Sequence, residues 1–170
     1  AVYKMIQAGD TIGTFQIESR AQIQTVLKTQ PRDLNDLTVQ VAIVRPGPIV
    51  GGATTPYIQS RQQGWFQPVY EHPLLEPVLK ETYGIILYQE QVVDVSVALA
   101  GFTPGQADAL RCSMTRKRSL EAMTALWEEF KQGAASKGVS EEIAQRVFDR
   151  LLGFSSYGFP KAHAASFAVL

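Results

Sequence analysis

Helix punctuation is the feature of this 170-residue sequence that most narrows its fold. Capping and breaking residues recur at intervals of one short helix. Ser19 caps a helix over roughly Arg20 to Thr29, with Ile23, Val26 and Leu27 on one face, stopped before Pro31. Asp33 caps the next, about Leu34 to Val44. The run Arg45-Pro46-Gly47-Pro48 ends it, because prolines so closely spaced forbid helical continuation. A short helix near Pro56 to Gln63 closes at Gly64, and His72-Pro73 opens another with Leu74, Leu75, Val78 and Leu79 as its buried set. Gln89 to Ala100 reads as helix with Gly101 as its left-handed cap, and Thr103-Pro104 opens the one after. Ser119 caps a long stretch carrying Met123, Leu126, Trp127 and Phe130 that ends near Gly138. Ser140, followed by Glu141 and Glu142, caps a helix through Leu152. Only Ile85 to Tyr88 leaves strand and helix start both open. The expectation is a mostly α fold, with little or no sheet, forming a single domain over 1–170.

Composition narrows the class further. Hydrophobic content of 45% and charged content of 19% are ordinary for a soluble globular chain. Sixteen basic and sixteen acidic residues cancel, so no overall field draws nucleic acid, although a local basic patch stays compatible with it. The one cysteine, Cys112, forms no internal disulfide and supports no multi-thiolate metal site. Its default reading is a small buried hydrophobe in a chain from a reducing compartment. No apolar run approaches the ~20 residues that cross a bilayer, and no signal-peptide pattern opens the chain. The first residue is not methionine and the closing AASFAVL is still helical in pattern at Leu170. Both ends therefore read as truncated, and the sequence as a segment of a larger protein.

Catalytic signatures are missing: there is no GxSxG, no P-loop and no HExxH. Glu128-Glu129 and Glu141-Glu142 are adjacent on helices, where neighbours point ~100° apart, so they read as solvated faces rather than acid–base pairs. No Asp-x-Asp occurs, and the sequence offers no metal site. The charge pattern says more. Between Asp108 and Glu121 lie Arg111, Arg116, Lys117 and Arg118 with no acid among them. Such a cluster suits phosphate through charge-assisted hydrogen bonds, or is a solvated helix end. Arg45 before Pro-Gly-Pro is likewise a turn residue or a fixed phosphate contact. His163, inside SSYGFPKAHAAS (155–166), is a structural histidine or part of a pocket wall.

Five blocks then carry a resemblance: GTFQIESR, VAIVRPGP, ETYGIILYQEQV, AGFTPGQADALR and YGFPKAHAASFA. Their order and spacing resemble the bacterial DNA polymerase III alpha subunit over essentially the whole chain, in the fingers region that follows the palm. The resemblance implies that the tyrosine of Tyr-Gly-Phe, here Tyr157, contacts the incoming deoxynucleoside triphosphate. It places His163 near the sugar, where it screens against ribonucleotides, and puts Lys161 within reach of a phosphate. Arg111 matches the first arginine of a pair that binds the triphosphate. Two positions depart from the pattern. The second arginine is Cys112, which cannot donate as a guanidinium does, so Arg116 or Lys117 would have to supply any replacement. The usual asparagine after Tyr-Gly-Phe is Pro160, which removes a backbone donor. Pro160, FQIESRAQ and VAIVRPGP resemble the error-prone branch of the family, whereas YGIILYQEQ leans toward the main replicase.

What the resemblance implies about activity is a cytoplasmic, DNA-directed DNA polymerase as parent. In it this segment binds nucleotide and helps position the nascent base pair on primer-template DNA. The aspartates that hold Mg2+ lie in the palm, no catalytic residue falls in this segment, and the isolated segment is expected to be inactive. The palm of the same polypeptide is the expected neighbour, with the sliding clamp and other replisome subunits engaged through other regions. The competing reading is a non-enzymatic helical module that binds nucleic acid or another protein; an Asp-x-Asp pair upstream in the reading frame separates the two. A hydrolase built on Ser166 and His163 lacks a third group and an oxyanion turn.

Overall fold

In the computed structural model, which describes residues 1–44, 54–62, 68–114, 120–154 and 158–170, capping side chains open the helices assigned to them. The first helix, α1 (Val2–Gln7), is one the punctuation does not announce, since its cap position is Ala1 with no side-chain oxygen. Ser19 then accepts the Gln22 amide and opens α2 (Arg20–Thr29), and Asp33 accepts the Asp36 amide and opens α3 (Leu34–Ile43). The fourth helix, α4 (Thr54–Gln62), begins two residues before its expected start. The segment after His72 is a composite: a 3₁₀ turn Pro73–Leu75, a single α turn α5 (Glu76–Leu79) and a second 3₁₀ turn Lys80–Thr82.

That composite corrects one expectation. Leu75 and Leu79 are buried, but Leu74 is 38% exposed. Successive residues of a 3₁₀ turn stand ~120° apart, so Leu74 and its neighbour cannot both face the core. The open question at Ile85 to Tyr88 resolves as extended chain ending in an isolated parallel bridge from Tyr88 to Phe159; among the described residues no longer sheet forms.

From there the chain is helical: α6 (Gln89–Ala100), α7 (Pro104–Met114), α8 (Leu120–Ser136), α9 (Glu141–Phe154) and α10 (Lys161–Val169). Gly101 caps α6 in the left-handed region, at φ 66°. Thr103 and Gln106 close a reciprocal capping box at the start of α7, the Thr103 hydroxyl accepting the Gln106 amide and Gln106 Oε1 accepting the Thr103 amide. The caps expected from Ser119 and the turn at Arg45 lie outside the described residues.

The helices bury two apolar clusters. In one, α6 to α9 meet around Phe130, whose ring lies 5.9 Å from Phe102 and 5.3 Å from Phe148. In the other, every residue of α3 from Leu37 to Ile43 is buried, with Ala164 and Ala168 of α10, Ile17 and Val26 among the residues that join them there. A helix buried nearly all round needs its polar members satisfied. Gln40, 1% exposed, meets that need: Oε1 accepts from the Thr29 hydroxyl at 2.7 Å and Nε2 donates to Gln22 Oε1 at 2.8 Å. Arg61 of α4 then ties α2 to α3, pairing its guanidinium with both Asp36 oxygens while Nε donates to the Thr29 carbonyl at 2.6 Å.

Helix α6 belongs to both clusters. Leu87 and Tyr88 at its entry sit in the second, and Val92, Val95 and Leu99 along it sit in the first. At its far end α8 crosses so closely that a Cβ built on Gly133 would lie 1.9 Å from the Ala100 carbonyl oxygen. Lys137, one turn on, donates its ammonium to the Val97 and Ala98 carbonyls at 2.9 and 2.8 Å, adding a partner to the Val97 carbonyl that already accepts the Gly101 amide. Replacing a helical glycine by alanine ordinarily adds up to ~1 kcal/mol through propensity. At Gly133 the sign reverses, because the methyl meets backbone and the helices must move apart. We expect Gly133→Ala to cost about 3 kcal/mol, read as a lowered midpoint in thermal or urea denaturation. A midpoint at or above that of the parent chain would show that α6 and α8 separate without cost.

Candidate functional site

The first turn of α6 gathers the candidate residues that the structure describes. Gln91, the third residue of the helix and 2% exposed, fixes where that turn begins. Its Oε1 accepts the amides of Leu87 at 2.7 Å and Tyr88 at 2.9 Å, and its Nε2 donates to the Thr82 hydroxyl at 2.8 Å. With the start pinned, the two preceding residues reach the segment before α10. The Gln89 amide donates to the Phe159 carbonyl at 3.1 Å, and Gln89 Nε2 donates to the Gly158 carbonyl at 2.8 Å. Gly158 packs so tightly there that an added Cβ would lie 2.8 Å from Gln89 Cγ and 2.7 Å from the Phe154 ring.

Glu90 does for α10 what that helix cannot do for itself. Pro160 occupies the cap position and offers no side-chain acceptor. The Glu90 carboxylate accepts the Lys161 amide instead, at 3.1 and 3.0 Å, and places negative charge on the positive end of α10. The Lys161 ammonium bonds both Glu81 oxygens at 2.8 and 2.7 Å and stands 5.7 Å from the centre of the Tyr88 ring. Asp94, one turn along α6, has its carboxyl raised above the ordinary value by burial first, then by the charges of Glu90 and Glu81.

Arg111 approaches the same turn from α7. Its Nε and Nη2 hold Asp108 Oδ1, each at 2.8 Å, its Nη1 reaches Gln89 Oε1 at 3.4 Å, and its Nη2 lies 3.3 Å from the Cys112 sulfur. The side chain keeps 29% of its surface exposed. Cys112 corrects a second expectation, since it is exposed rather than buried. The core face of α7 is set by Ala107 and Leu110, both at 0% exposure. Cys112 lies two residues past Leu110, ~200° around the helix, and so faces outward.

His163 is exposed on the first turn of α10, in edge-to-face contact with two rings. Phe159, four residues before it, lies 5.0 Å away and Phe167, four residues after it, 4.6 Å, and Phe15 extends the row at 5.2 Å from Phe167. The Ser166 hydroxyl donates to the Ala162 carbonyl at 2.9 Å, so its proton goes to the helix backbone and not to His163. Of the remaining candidates, Tyr157, Arg45, Arg116, Lys117 and Arg118 lie outside the described residues.

The structure thus brings Arg111 and Lys161 to one helix turn, with His163 just beyond it on α10. The residues that join them, Gln89, Glu90 and Glu81, went unremarked in the sequence. An acid in a first helical turn reads as complementing its own helix, and the partner of Glu90 is an amide 71 residues away. Among the described residues no three His, Cys, Asp or Glu side chains converge to hold a metal, and Glu81 and Glu90 are engaged by Lys161. Divalent-metal chemistry therefore has no fitting ligand set there. No described helix is long and apolar enough to cross a membrane.

The sequence profile of the bacterial DNA polymerase III alpha subunit finger domain matches residues 1–138. The chain is 48% identical over 169 residues to the error-prone DNA polymerase of Anaeromyxobacter dehalogenans, covering 99% of this chain and 15% of that protein. It is 45% identical over 168 residues to the error-prone DNA polymerase of Symbiobacterium thermophilum, covering 99% and 15%. For the error-prone DNA polymerase of Nocardia farcinica the figures are 46% over 171 residues, 100% and 15%. The chain therefore spans about 15% of the length of these relatives. All three carry the name of the branch that Pro160, FQIESRAQ and VAIVRPGP indicate.

The geometry makes Glu90 the cap of α10. Glu90→Ala should cost ~1 kcal/mol locally, which is about a fivefold rise in hydrogen exchange at the Lys161 to His163 amides. Unchanged exchange at those amides would show that solvent caps α10 equally well.

Proposed function

The chain belongs to the finger-domain family of the bacterial DNA polymerase III alpha subunit, and from that premise we propose that it binds the incoming deoxynucleoside triphosphate within a larger, DNA-directed DNA polymerase. The single observation that carries this reading is the convergence of Arg111 and the 158–163 segment on the first turn of α6. Two stretches of sequence that the family resemblance ties to the nucleotide are linked there through one glutamine.

Each side chain has a role suited to its surroundings. Arg111 is a cation whose Asp108 hydrogen bond pushes its pKa further above the ordinary value, and its partly exposed guanidinium donates to triphosphate oxygens. Lys161 exchanges Glu81 for a phosphate. Tyr157 stacks on the base, giving affinity without sequence preference. His163, held between Phe159 and Phe167, sets its bulk against the sugar. Arg45, Arg116, Lys117 and Arg118 are the basic residues assigned to DNA or nucleotide phosphates. Mg2+ would supply charge stabilisation for phosphoryl transfer, and carboxylates of a palm region, rather than residues of this segment, would hold it. The segment's share of the reaction is positioning, which lowers the barrier by fixing the nucleotide's orientation. The palm, the primer-template, the sliding clamp and other replisome subunits are the proposed partners, in the cytoplasm.

In the full-length polymerase, Arg111→Ala should raise the KM for nucleotide by roughly ten- to a hundredfold, since a charge-assisted contact contributes ~1.5–3 kcal/mol, while the melting temperature stays near that of the parent. An unchanged KM with a large drop in melting temperature would make Arg111 structural. A separate measurement addresses His163. Exclusion of a 2′-hydroxyl by bulk is a built clash, so His163→Ala should increase ribonucleotide relative to deoxyribonucleotide incorporation in single-turnover extension. An equal loss for both sugars would remove His163 from the sugar's surroundings.

A further inference from the structure

Resting on the nucleotide-site reading above, we propose that Gln89 is a positioning residue that holds the Arg111 guanidinium and the Gly158 carbonyl in one register. Its amide has two ends with opposite chemistry, and each meets a partner of the right kind. Nε2 donates to the Gly158 carbonyl at 2.8 Å, and Oε1 accepts from Arg111 Nη1 at 3.4 Å. Turning the amide over would set an N–H2 against a cation and an oxygen against an oxygen, so the orientation is fixed by its partners. The backbone adds a third tie through the Gln89 amide to the Phe159 carbonyl.

Several features make this more than a surface hydrogen bond. Gly158 lies against Gln89 Cγ at a distance that admits no side chain, so the carbonyl and the glutamine stem cannot slide independently. Gln89 is the first residue of α6, a helix start held rigidly by Gln91 on the Leu87 and Tyr88 amides. The Arg111 guanidinium is held at Nε and Nη2 by Asp108, and Gln89 adds the contact at Nη1. The Arg111 guanidinium on α7 and the Gly158 carbonyl in the segment before α10, remote in sequence, are thereby linked through one side chain. At 3.4 Å the contact is longer than an ordinary N–H···O bond, so a triphosphate drawing the guanidinium inward has room to shorten it.

The test is nucleotide kinetics in the full-length polymerase that carries this segment, with single-nucleotide primer extension giving KM and kcat separately. Gln89→Ala should raise the KM for nucleotide by roughly five- to thirtyfold, the span expected for coupled neighbours. Gln89→Met keeps the length and packing of the side chain while deleting both hydrogen bonds, and should raise the KM to the same degree with an unchanged melting temperature. The double variant with Arg111→Ala should have a KM within about twofold of Arg111→Ala alone, because the register has no purpose once the guanidinium is gone. A KM for Gln89→Met within twofold of the parent, or effects of Gln89→Ala and Arg111→Ala that simply multiply, would overturn the role of Gln89 and leave the nucleotide site standing. An Arg111→Ala enzyme with the KM of its parent would instead overturn the nucleotide site itself, and the role of Gln89 with it.

Discussion

The arrangement depends on one helix serving two cores. The entry of α6, through Leu87 and Tyr88, is buried with α3 and α10, while its body is buried with α7, α8 and α9. A helix is stiff over this length, so wherever the first core fixes its entry, the second core inherits its direction. Gln91 makes the hand-over definite by anchoring the last extended amides to the helix and the helix to Thr82. Because of this, Gln89 and Glu90 emerge at the boundary between the cores, where they can reach Gly158 and Lys161 on one side and Arg111 on the other.

The boundary is also where charge is concentrated. Glu81, Glu90 and Asp94 face Lys161, and Arg111 lies on the far side of Gln89. A lysine held by two oxygens of one carboxylate is oriented, with less rotamer freedom than an ammonium loose in solvent. The exposed pair with Glu81 contributes little to stability in its own right. The main stabilising term is the burial of the two apolar clusters, with the Gln40 and Arg61 contacts satisfying polar groups beside them.

Much of the helix layout was legible in the sequence, because it is written in local chemistry. Ser19, Asp33, Thr103 and Gly101 act on amides and carbonyls within a few residues, and each operates as its type suggests. The short helix α1 has no such marker, and Leu74 and Cys112 were placed on the wrong face because an apolar or small residue near a core stripe says nothing about helix phase. The site divides in the same way. Arg111, Lys161 and His163 stand out through residue type and through family motifs. Gln89, Glu90 and Glu81 did not, since their meaning lies in partners that only folding brings near. The Pro160 departure is the instructive case: a cap lost from one helix is supplied by a carboxylate on another.

The packing of α3 against α10 has a consequence for how such a chain is made. The seven buried residues from Leu37 to Ile43 find much of their cover on a helix that begins at Lys161, more than a hundred residues later. At ~5–20 residues per second, a ribosome would take on the order of ten seconds to deliver that cover. Throughout that interval an apolar helix with a glutamine at its centre has left the tunnel with one side open. The Gln40 links to Gln22 and Thr29 need only α2, which is already synthesised, so they can dress the polar side of α3 at once. What stays bare is the apolar side that α10 covers once it is made.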